Sequence, residues 1–306
     1  MSMRFSVLAS GSGGNATLLK LNEFGLLIDL GLGPRQLASR LASIGASWRE
    51  IQAVLLTHTH TDHWKDRSLQ LLLQHKIPLY CHPAHHRYLE IQSANFRLLK
   101  RAKLVRDYEG CEEFEIGDQI RSRPVEVKHD SVPTFGFRLE GKSGLFGESW
   151  SVGYLADLGC WSREQIECAV DVDVLALEFN HDEHLERKSN RPIQLIDRVL
   201  GDHGHLSNAQ AADFLEEVIA KSKLSGPSHL VQLHLSRECN RPALAQAAAR
   251  KVMAIADCSM ELHTASQDRA GPILKIDPSQ KRTQRRTNGA AARPSRRIQP
   301  TLPGLE

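Results

Sequence analysis

The stretch His58–His63 reads His-Thr-His-Thr-Asp-His and is the most informative part of the sequence. It directly follows residues 51–56, Ile-Gln-Ala-Val-Leu-Leu, whose short apolar run predicts a buried strand. Imidazole nitrogens and carboxylate oxygens are ligands that Zn²⁺, Mn²⁺ and Fe²⁺ accept. Because alternate residues of an extended loop point the same way, His58 and His60 can hold one ion while Asp62 and His63 face a second. The stretch therefore predicts a metal-dependent hydrolase with a two-metal site.

The composition is that of an ordinary globular chain, with 41% hydrophobic and 25% charged residues. No run approaches the ~20 consecutive apolar residues that a membrane span requires, and residues 1–5 lack the pattern of a secretion signal. The six cysteines include no Cys-x-x-Cys pair, so neither disulfides nor a thiolate zinc site is expected. We expect a cytoplasmic protein without membrane contact.

Strand and helix patterns alternate in mixed order along residues 4–276, without an internal repeat, and predict one domain over residues 1–277. Short apolar runs predict strands at 4–9, 16–21, 25–30, 51–56, 77–81, 119–128, 134–140, 151–156, 172–178, 230–235, 260–262 and 272–276. Helical spacing and capping residues predict helices at 34–44, 66–76, 83–102, 207–221 and 242–255.

Residues 278–306 differ in composition from the rest of the chain. They are rich in Arg, Pro, Ser, Thr and Ala with almost no large apolar residue, which predicts a basic, disordered tail. The seven Lys and Arg residues from 279 onward could attract DNA phosphates, or could simply be solvated. Within the tail, Gln299–Leu305 weakly resembles peptides that dock on the bacterial sliding clamp, so a weak clamp contact is a further hypothesis.

The stretch His58–His63 resembles the HxHxDH signature of the metallo-β-lactamase superfamily. Other parts of that pattern are found along residues 4–276. Asp29 resembles the supporting aspartate, His129 the third histidine of the first metal, Asp157 the bridging aspartate, and His234 the last histidine. The resemblance implies an α+β fold, an αββα sandwich of two mixed β-sheets flanked by helices, with the site at one edge of the sheets.

The same resemblance implies two divalent metal ions, Zn²⁺ or Mn²⁺. It assigns the first ion to His58, His60, His129 and Asp157, and the second to Asp62, His63, Asp157 and His234. Two ions bridged in this way hold a hydroxide between them at neutral pH and neutralise an anionic oxygen during in-line displacement. The bridging carboxylate, in place of the thiolate common in zinc β-lactamases, argues against an antibiotic-hydrolysing role.

Further segments favour one branch of the superfamily. Residues 9–15, 180–182, 201–207 and 234–240 together resemble the YycJ/WalJ branch, whose members are metal-dependent 5′-to-3′ exonucleases on double-stranded DNA. His205 resembles the histidine with which RNase Z-type nucleases protonate the leaving oxygen, and Glu178 resembles its acidic partner. The alternatives for these two residues are a capping or surface histidine and a structural glutamate.

Substrate contacts are expected from the glycine-rich turn after the first strand and from the segment after Glu178. Backbone N–H groups of such a turn can approach a phosphate closely, although a tight turn without a ligand explains the same glycines. The expected contact residues are Ser10, Gly11, Ser12, Gly13, Asn15, Asn180 and His181. The expected catalytic residues are Asp62, His205 and Glu178.

The leading hypothesis is a dinuclear phosphodiesterase acting on nucleic acid, with DNA favoured over RNA. The alternatives are a small-molecule hydrolase, such as a cyclic phosphodiesterase or lactonase, and a non-catalytic, metal-containing nucleic-acid-binding or regulatory protein. The other histidines lack ligand spacing and are expected to be structural or solvated: His75, His82, His85, His86, His184, His229 and His263. The sequence does not indicate the oligomeric state.

Overall fold

The computed structural model describes residues 2–131, 133–142, 149–223 and 226–278. The strands are β1 (Met3–Ala9), β2 (Ala16–Leu21), β3 (Phe24–Ile28), β4 (Ala53–Leu55), β5 (Leu79–Cys81), β6 (Val105–Asp107), β7 (Phe114–Ile116), β8 (Ile120–Val127), β9 (Thr134–Gly141), β10 (Ser151–Leu155), β11 (Val174–Glu178), β12 (His229–Leu233), β13 (Glu261–Thr264) and β14 (Leu274–Ile276). The helices are α1 (Pro34–Ser43), α2 (Asp66–His75), α3 (His86–Gln92), α4 (Ala94–Arg101), α5 (Arg163–Ala169), α6 (Glu183–Arg187), α7 (Ile193–Leu200), α8 (Asn208–Lys221) and α9 (Pro242–Ile255).

The strands form two mixed sheets of seven strands each. The first sheet has the order β14-β1-β2-β3-β4-β5-β6, and its pairing is parallel from β3 to β6. The second has the order β13-β12-β11-β10-β9-β8-β7, and its pairing is parallel from β10 to β13. Neighbouring parallel strands end at the same edge of a sheet. The parallel halves therefore bring together the carboxyl ends of β3 and β4 in one sheet, and of β10, β11 and β12 in the other.

Apolar side chains fill three layers of this arrangement. Phe5 and Phe137 belong to the layer between the two sheets. Leu72 and its neighbours join α1 to α4 to the outer face of the first sheet, and Phe214 and its neighbours join α5, α8 and α9 to the second. The expected αββα sandwich is thus confirmed, because each sheet buries one face against the other sheet and one against helices.

Among the described residues, five strands and α-helices were not predicted from the sequence pattern. Helix α9 has the expected bounds, and α8 begins one residue later than expected, with Ser207 as its N-cap. The additional elements are β6, β7, α5, α6 and α7, which are three to eight residues long. Such lengths give too few turns or alternations for a periodic pattern to stand out.

No helix within the described ranges is long and apolar enough to cross a bilayer. Residue 278 is the last one described at the carboxyl end. The expected basic tail and its clamp-like segment at 299–305 therefore lie outside the described residues, and the domain boundary at residue 277 stays a prediction.

Candidate metal centre

The candidate site is built from loops that leave the carboxyl ends of strands. Asp29 follows β3, the stretch His58–His63 follows β4, Asp157 follows β10 and His234 follows β12. Asp29, Asp157 and His234 have left-handed backbone, with φ of 61°, 57° and 55°. Such backbone is uncommon for residues other than glycine, and it persists where the surrounding structure fixes it. The chain thus turns sharply at three strand ends that carry predicted site residues.

One group of potential ligand atoms belongs to His58, His60 and His129, which lie within 4.8 Å of one another. The Nδ1–H of His129 donates to the Gly204 carbonyl oxygen at 3.0 Å, which leaves its Nε2 unprotonated, 3.2 Å from His60 Nδ1. His58 is fully buried, and its Nε2 has no hydrogen-bond partner in the described structure. Burial lowers the pKa of all three histidines, so they favour the neutral form that binds metal.

A second group comprises Asp62, His63 and His234, and Asp157 lies in contact with it. Asp157 Oδ2 is 2.9 Å from His63 Nε2, and Asp157 Oδ1 is 3.1 Å from His234 Nδ1. Burial alone would raise the pKa of Asp157, but His234 and His63 hold it well below its usual value. His234 Nε2 is buried without a hydrogen bond in the described part of the chain and lies 3.5 Å from Asp62 Oδ2. Unpartnered buried nitrogens beside ionised carboxylates fit a divalent cation.

Asp29 is buried next to the candidate ligands and is hydrogen-bonded to one of them, His63. The Nδ1–H of His63 donates to Asp29 Oδ2 at 2.7 Å, and the backbone N–H of Thr57 donates to Asp29 Oδ1 at 2.9 Å. The Thr57 hydroxyl lies 3.0 Å from His58 Nδ1 and 3.1 Å from His63 Nδ1. With Nδ1 engaged, His63 presents Nε2 to Asp157. A second carboxylate that holds a ligating histidine in this way would orient it toward a metal, and this supporting role for Asp29 stays a prediction.

The glycine-rich turn after β1 contacts the potential metal ligands. Ser10 Oγ accepts a hydrogen bond from the backbone N–H of His234 at 2.8 Å. The Asn15 side-chain amide lies 2.9 Å from His63 Nε2 and donates to Asp62 Oδ2 at 3.2 Å. Ser10 and Asn15 are both buried. These two residues therefore position candidate ligands, a role that the sequence pattern did not indicate.

The other residues of the turn have different surroundings. Gly11 N–H donates to the Asn15 side chain at 2.8 Å, and Gly13 N–H donates to the Gln267 side chain at 3.2 Å. Both N–H groups already donate to protein side chains and are therefore not available to a phosphate. Phosphate binding by this backbone stays a prediction that the geometry does not support. Ser12 lines the open cavity over the site and is available to a substrate.

Glu178, the last residue of β11, is fully buried and holds two histidines. Its Oε1 accepts a hydrogen bond from His205 Nδ1 at 2.8 Å and lies 3.1 Å from His234 Nδ1. Its Oε2 accepts the backbone N–H groups of Leu158 and Leu206, at 3.0 and 3.3 Å. Burial alone would raise the pKa of Glu178, but His205 and His234 lower it to about 2. Glu178 is therefore a carboxylate that orients both imidazole rings.

An open cavity of about 570 Å³ lies over these groups. The predicted residues in its wall are Ser12, His60, Asp62, His129, Asp157, Asn180, His205 and His234. The wall also includes residues that were not identified from the sequence, among them Tyr88, Arg191, Leu195 and Arg198. Arg191, Leu195 and Arg198 lie in the segment between Glu178 and His205, which includes the amphipathic helix α7. The position of this segment between two predicted site residues was the one sign in the sequence that it could reach the site.

Asn180 and His181 follow Glu178 but have different environments. Asn180 lines the cavity, and its side-chain amide donates to the His234 carbonyl oxygen at 2.8 Å. His181 is 1% exposed and is absent from the described cavity wall, and its carbonyl oxygen accepts the Asn208 N–H at 2.7 Å. Asn180 thus borders the cavity although it is only 6% exposed, and substrate contact by either residue stays a prediction, which this geometry does not support for His181.

Known proteins share this chain's sequence features. A family model described as a beta-lactamase superfamily domain matches residues 25–229. Exodeoxyribonuclease WalJ of Streptococcus pneumoniae serotype 2 is 27% identical over 284 residues, which cover 89% of this chain and 98% of WalJ. Exodeoxyribonuclease YycJ of Bacillus anthracis is 25% identical over 257 residues, which cover 83% of this chain and 90% of YycJ.

A solved structure shares the fold. The metallo-beta-lactamase fold protein YhfI from Bacillus subtilis matches with a TM-score of 0.61 at 17% identity, covering 90% of this chain and 100% of YhfI. At that identity the likeness concerns the fold alone. The family match extends over well over half of the chain and includes most of the site. The chain therefore belongs to the beta-lactamase superfamily, as a metal-dependent hydrolase on the metallo-β-lactamase fold.

Proposed function

We propose that this protein is a dinuclear phosphodiesterase that degrades double-stranded DNA in the 5′-to-3′ direction. The observation that carries the proposal is the pairing of His205 with Glu178 beside the metal ligands. His205 Nδ1 lies 2.8 Å from Glu178 Oε1 and 3.6 Å from Asp157 Oδ1. A histidine at this point can protonate a departing oxygen, as phosphodiester cleavage requires. The names of WalJ and YycJ support DNA as the substrate, and the resemblance to their branch supports the polarity.

The donor set supports two divalent ions, Zn²⁺ or Mn²⁺. His58, His60 and His129 would hold the first, and Asp62, His63 and His234 the second, with Asp157 shared. When bound, such ions supply a water molecule activated at neutral pH and compensate negative charge on the phosphate oxygens. The lowered pKa of His58, His60 and His129 favours the first ion. Burial alone would lower the pKa of His63 and His234, but neighbouring carboxylates raise it, so these two histidines would release protons when the second ion binds.

In this proposal His205 acts as the general acid. Its Nδ1–H donates to the Glu178 carboxylate, so the proton on Nε2 is the one that moves to the leaving oxygen. Because Glu178 is buried and ionised, it also stabilises the imidazolium that carries this proton. After the transfer, the hydrogen bond to Glu178 keeps the ring in place. The His205 side chain is 18% exposed, so solvent can return a proton to its Nε2.

The wall of the cavity has side chains that suit a DNA end. Arg198 has a half-exposed side chain and can pair with a backbone phosphate. Tyr88 is 43% exposed and can stack on a nucleobase. Ser12 and Asn180 add hydrogen-bonding groups at the cavity surface. We assign these four residues to substrate binding, and Ser10 and Asn15 to the support of metal ligands.

The test is a nuclease assay on the metal-loaded full chain, with duplex and single-stranded DNA and RNA labelled at either end. We expect release of nucleotides from 5′ ends of duplex DNA. Asp62→Ala should abolish cleavage, and His205→Gln should lower kcat by about 100-fold, the usual contribution of a general acid. His203→Gln is the matched control, because His203 is an exposed neighbour of His205 and should leave the rate unchanged. Wild-type rates in both site variants would refute the mechanism.

The same assay separates the alternative functions. Hydrolysis of bis(p-nitrophenyl) phosphate without cleavage of DNA or RNA would identify a small-molecule phosphodiesterase, and turnover of lactones alone would identify a carbonyl hydrolase. Tight binding of DNA with full metal occupancy and no turnover would identify a non-catalytic binding protein. Each of these results would overturn the assignment of DNA hydrolysis.

A further inference from the structure

A separate cluster of two histidines and a glutamate lies at the other end of β12 from the candidate active site. His229 is the first residue of β12 and pairs in register with Glu261 on β13, while Val231 pairs with His263. Side chains two residues apart on a strand share a face, and directly paired residues do as well. His229, Glu261 and His263 therefore project from the same face of the sheet.

The three side chains converge on one point. His229 Nδ1 is 3.3 Å from His263 Nε2 and 3.5 Å from Glu261 Oε2, and the third side of the triangle, His263 Nε2 to Glu261 Oε2, is 3.7 Å. Zn²⁺ binds nitrogen and oxygen ligands at about 2.0–2.1 Å in tetrahedral geometry, which places neighbouring ligand atoms about 3.4 Å apart. The triangle therefore has the dimensions of one face of a zinc coordination tetrahedron.

The surroundings also suit a bound cation. The side chains of His229 and His263 are only 12% and 20% exposed, so their ring positions are constrained, whereas that of Glu261 is 71% exposed and can adjust. His263 lines a crevice with Phe5, Val231 and other largely apolar residues, where the two sheets meet. A carboxylate and two imidazoles in this setting leave one tetrahedral position for water.

We propose that His229, Glu261 and His263 form a separate site for a divalent transition-metal ion such as Zn²⁺, which links the edge strand β13 to β12. Five residues along β12 separate His229 from His234, or about 16 Å at the rise of a strand, so an ion here cannot take part in the reaction. An edge strand has a neighbour on one side only, and β13 is the terminal strand of its sheet. The ion would therefore act as a structural clasp.

The test counts metal ions and does not depend on activity or on the number of ions in the catalytic centre. The full-length chain is stripped with a chelator, loaded with Zn²⁺, and measured by native mass spectrometry beside His263→Gln and His229→Gln. We expect each variant to bind one zinc ion fewer than wild type and to lose the part of the zinc-dependent rise in Tm that the clasp contributes. The control is His75→Gln, which changes an exposed histidine on α2 and should keep the full count.

Two additional measurements keep the outcome decisive. Far-UV circular dichroism checks that the variants fold, and Co²⁺ loading should give a tetrahedral absorption band that is weaker in His263→Gln than in wild type. Glu261→Gln, which leaves the strands and both imidazoles intact, should weaken this ion's affinity by at least tenfold. Equal zinc counts in wild type and in folded His263→Gln would overturn the proposal. The contact between His229 and His263 in the wild-type chain would then be a hydrogen bond and not a metal site.

Discussion

At the scale of single residues, Glu178 joins the candidate acid His205 to the candidate metal ligand His234. The two histidines share Oε1, and Oε2 accepts two backbone N–H groups, so the carboxylate has donors on both oxygens. Glutamine has the same shape but only one accepting oxygen. Its NH₂ group would face donors whichever way the side chain is oriented. The site therefore requires the charge and the two acceptors of a carboxylate at this position.

This requirement predicts the effect of Glu178→Gln. We expect kcat for DNA cleavage to fall about 100-fold, because His205 loses its orienting carboxylate. Metal affinity should also fall by about 10- to 100-fold, because His234 loses the same partner. Steady-state kinetics and zinc titration against a competing chelator measure the two effects. Glu216→Gln, on the exposed face of α8, should change neither, and a kcat within twofold of wild type in Glu178→Gln would contradict the assignment.

His85 carries a pH-dependent part of the stability, away from the metal ligands. Burial lowers its pKa to about 4, although the hydrogen bond from Nε2–H to the Pro133 carbonyl oxygen favours the protonated form. The other ring nitrogen is buried without a partner in the described residues. The unfolded chain takes up a proton near pH 6.5, whereas the folded chain resists it until about pH 4. Stability should therefore fall by about 3 kcal/mol as the pH drops through this window.

Urea unfolding of the metal-free chain at several pH values from 7 to 4 measures whether the free energy of unfolding falls with pH, and by how much. We expect the slope of the unfolding free energy against pH to be smaller in His85→Gln than in wild type, since glutamine does not titrate. His75→Gln, an exposed histidine, should keep the wild-type slope. Identical slopes in all three chains would show that His85 has an ordinary pKa.

At the scale of elements, the short helix α7 shapes the cavity wall. It contributes Leu195, Arg198 and Val199 to the wall, and the Arg198 guanidinium forms an ion pair with Asp130. Asp130 Oδ1 in turn lies 3.3 Å from His60 Nε2. Arg198 is therefore placed both to meet a phosphate and to act on the candidate metal ligand His60 through Asp130, and these two roles predict different kinetics.

We expect Arg198→Gln to raise KM for duplex DNA about tenfold with kcat little changed, because the lost interaction is with the DNA backbone. The dependence of binding on salt should also weaken by roughly one phosphate contact. Arg187→Gln, an exposed arginine on α6, is the matched control. A fall in kcat at unchanged KM would mean instead that Arg198 acts through Asp130 on the metal centre.

The lengths and pairings of the strands and helices also explain which site residues could be predicted from the sequence. The His58–His63 stretch is local, so its ligands and the preceding strand are visible as one pattern. Asp29, Asp157 and His234 each stand at the end of an apolar run, which marks the same sheet edge. Helix α7 is too short for its period to be recognised, so its wall residues were missed. The clasp proposed for His229 and His263 depends on the register between β12 and β13, which a single sequence does not contain.

At the scale of the whole molecule, charge is distributed unevenly between residues 1–278 and residues 279–306. The whole chain has a formal charge of +3, yet seven of its 39 Lys and Arg residues and only one of its 36 Asp and Glu residues lie after residue 278. Residues 1–278 are thus slightly acidic, which is unfavourable for attraction of DNA at a distance. If the protein acts on DNA as proposed, we expect the basic residues after 278 to supply its electrostatic attraction.

We expect a chain ending at residue 278 to bind duplex DNA about tenfold more weakly at low salt, with kcat at saturating DNA unchanged. The plot of log affinity against log salt concentration should also become less steep, because fewer counterions are released. Fluorescence anisotropy over a salt series measures both quantities. A full-length variant with glutamine at the seven basic tail positions separates charge from length, and it should behave like the truncated chain. If both keep the wild-type affinity and slope, the tail is solvated and the cavity wall alone, through Arg198 and its neighbours, holds the DNA.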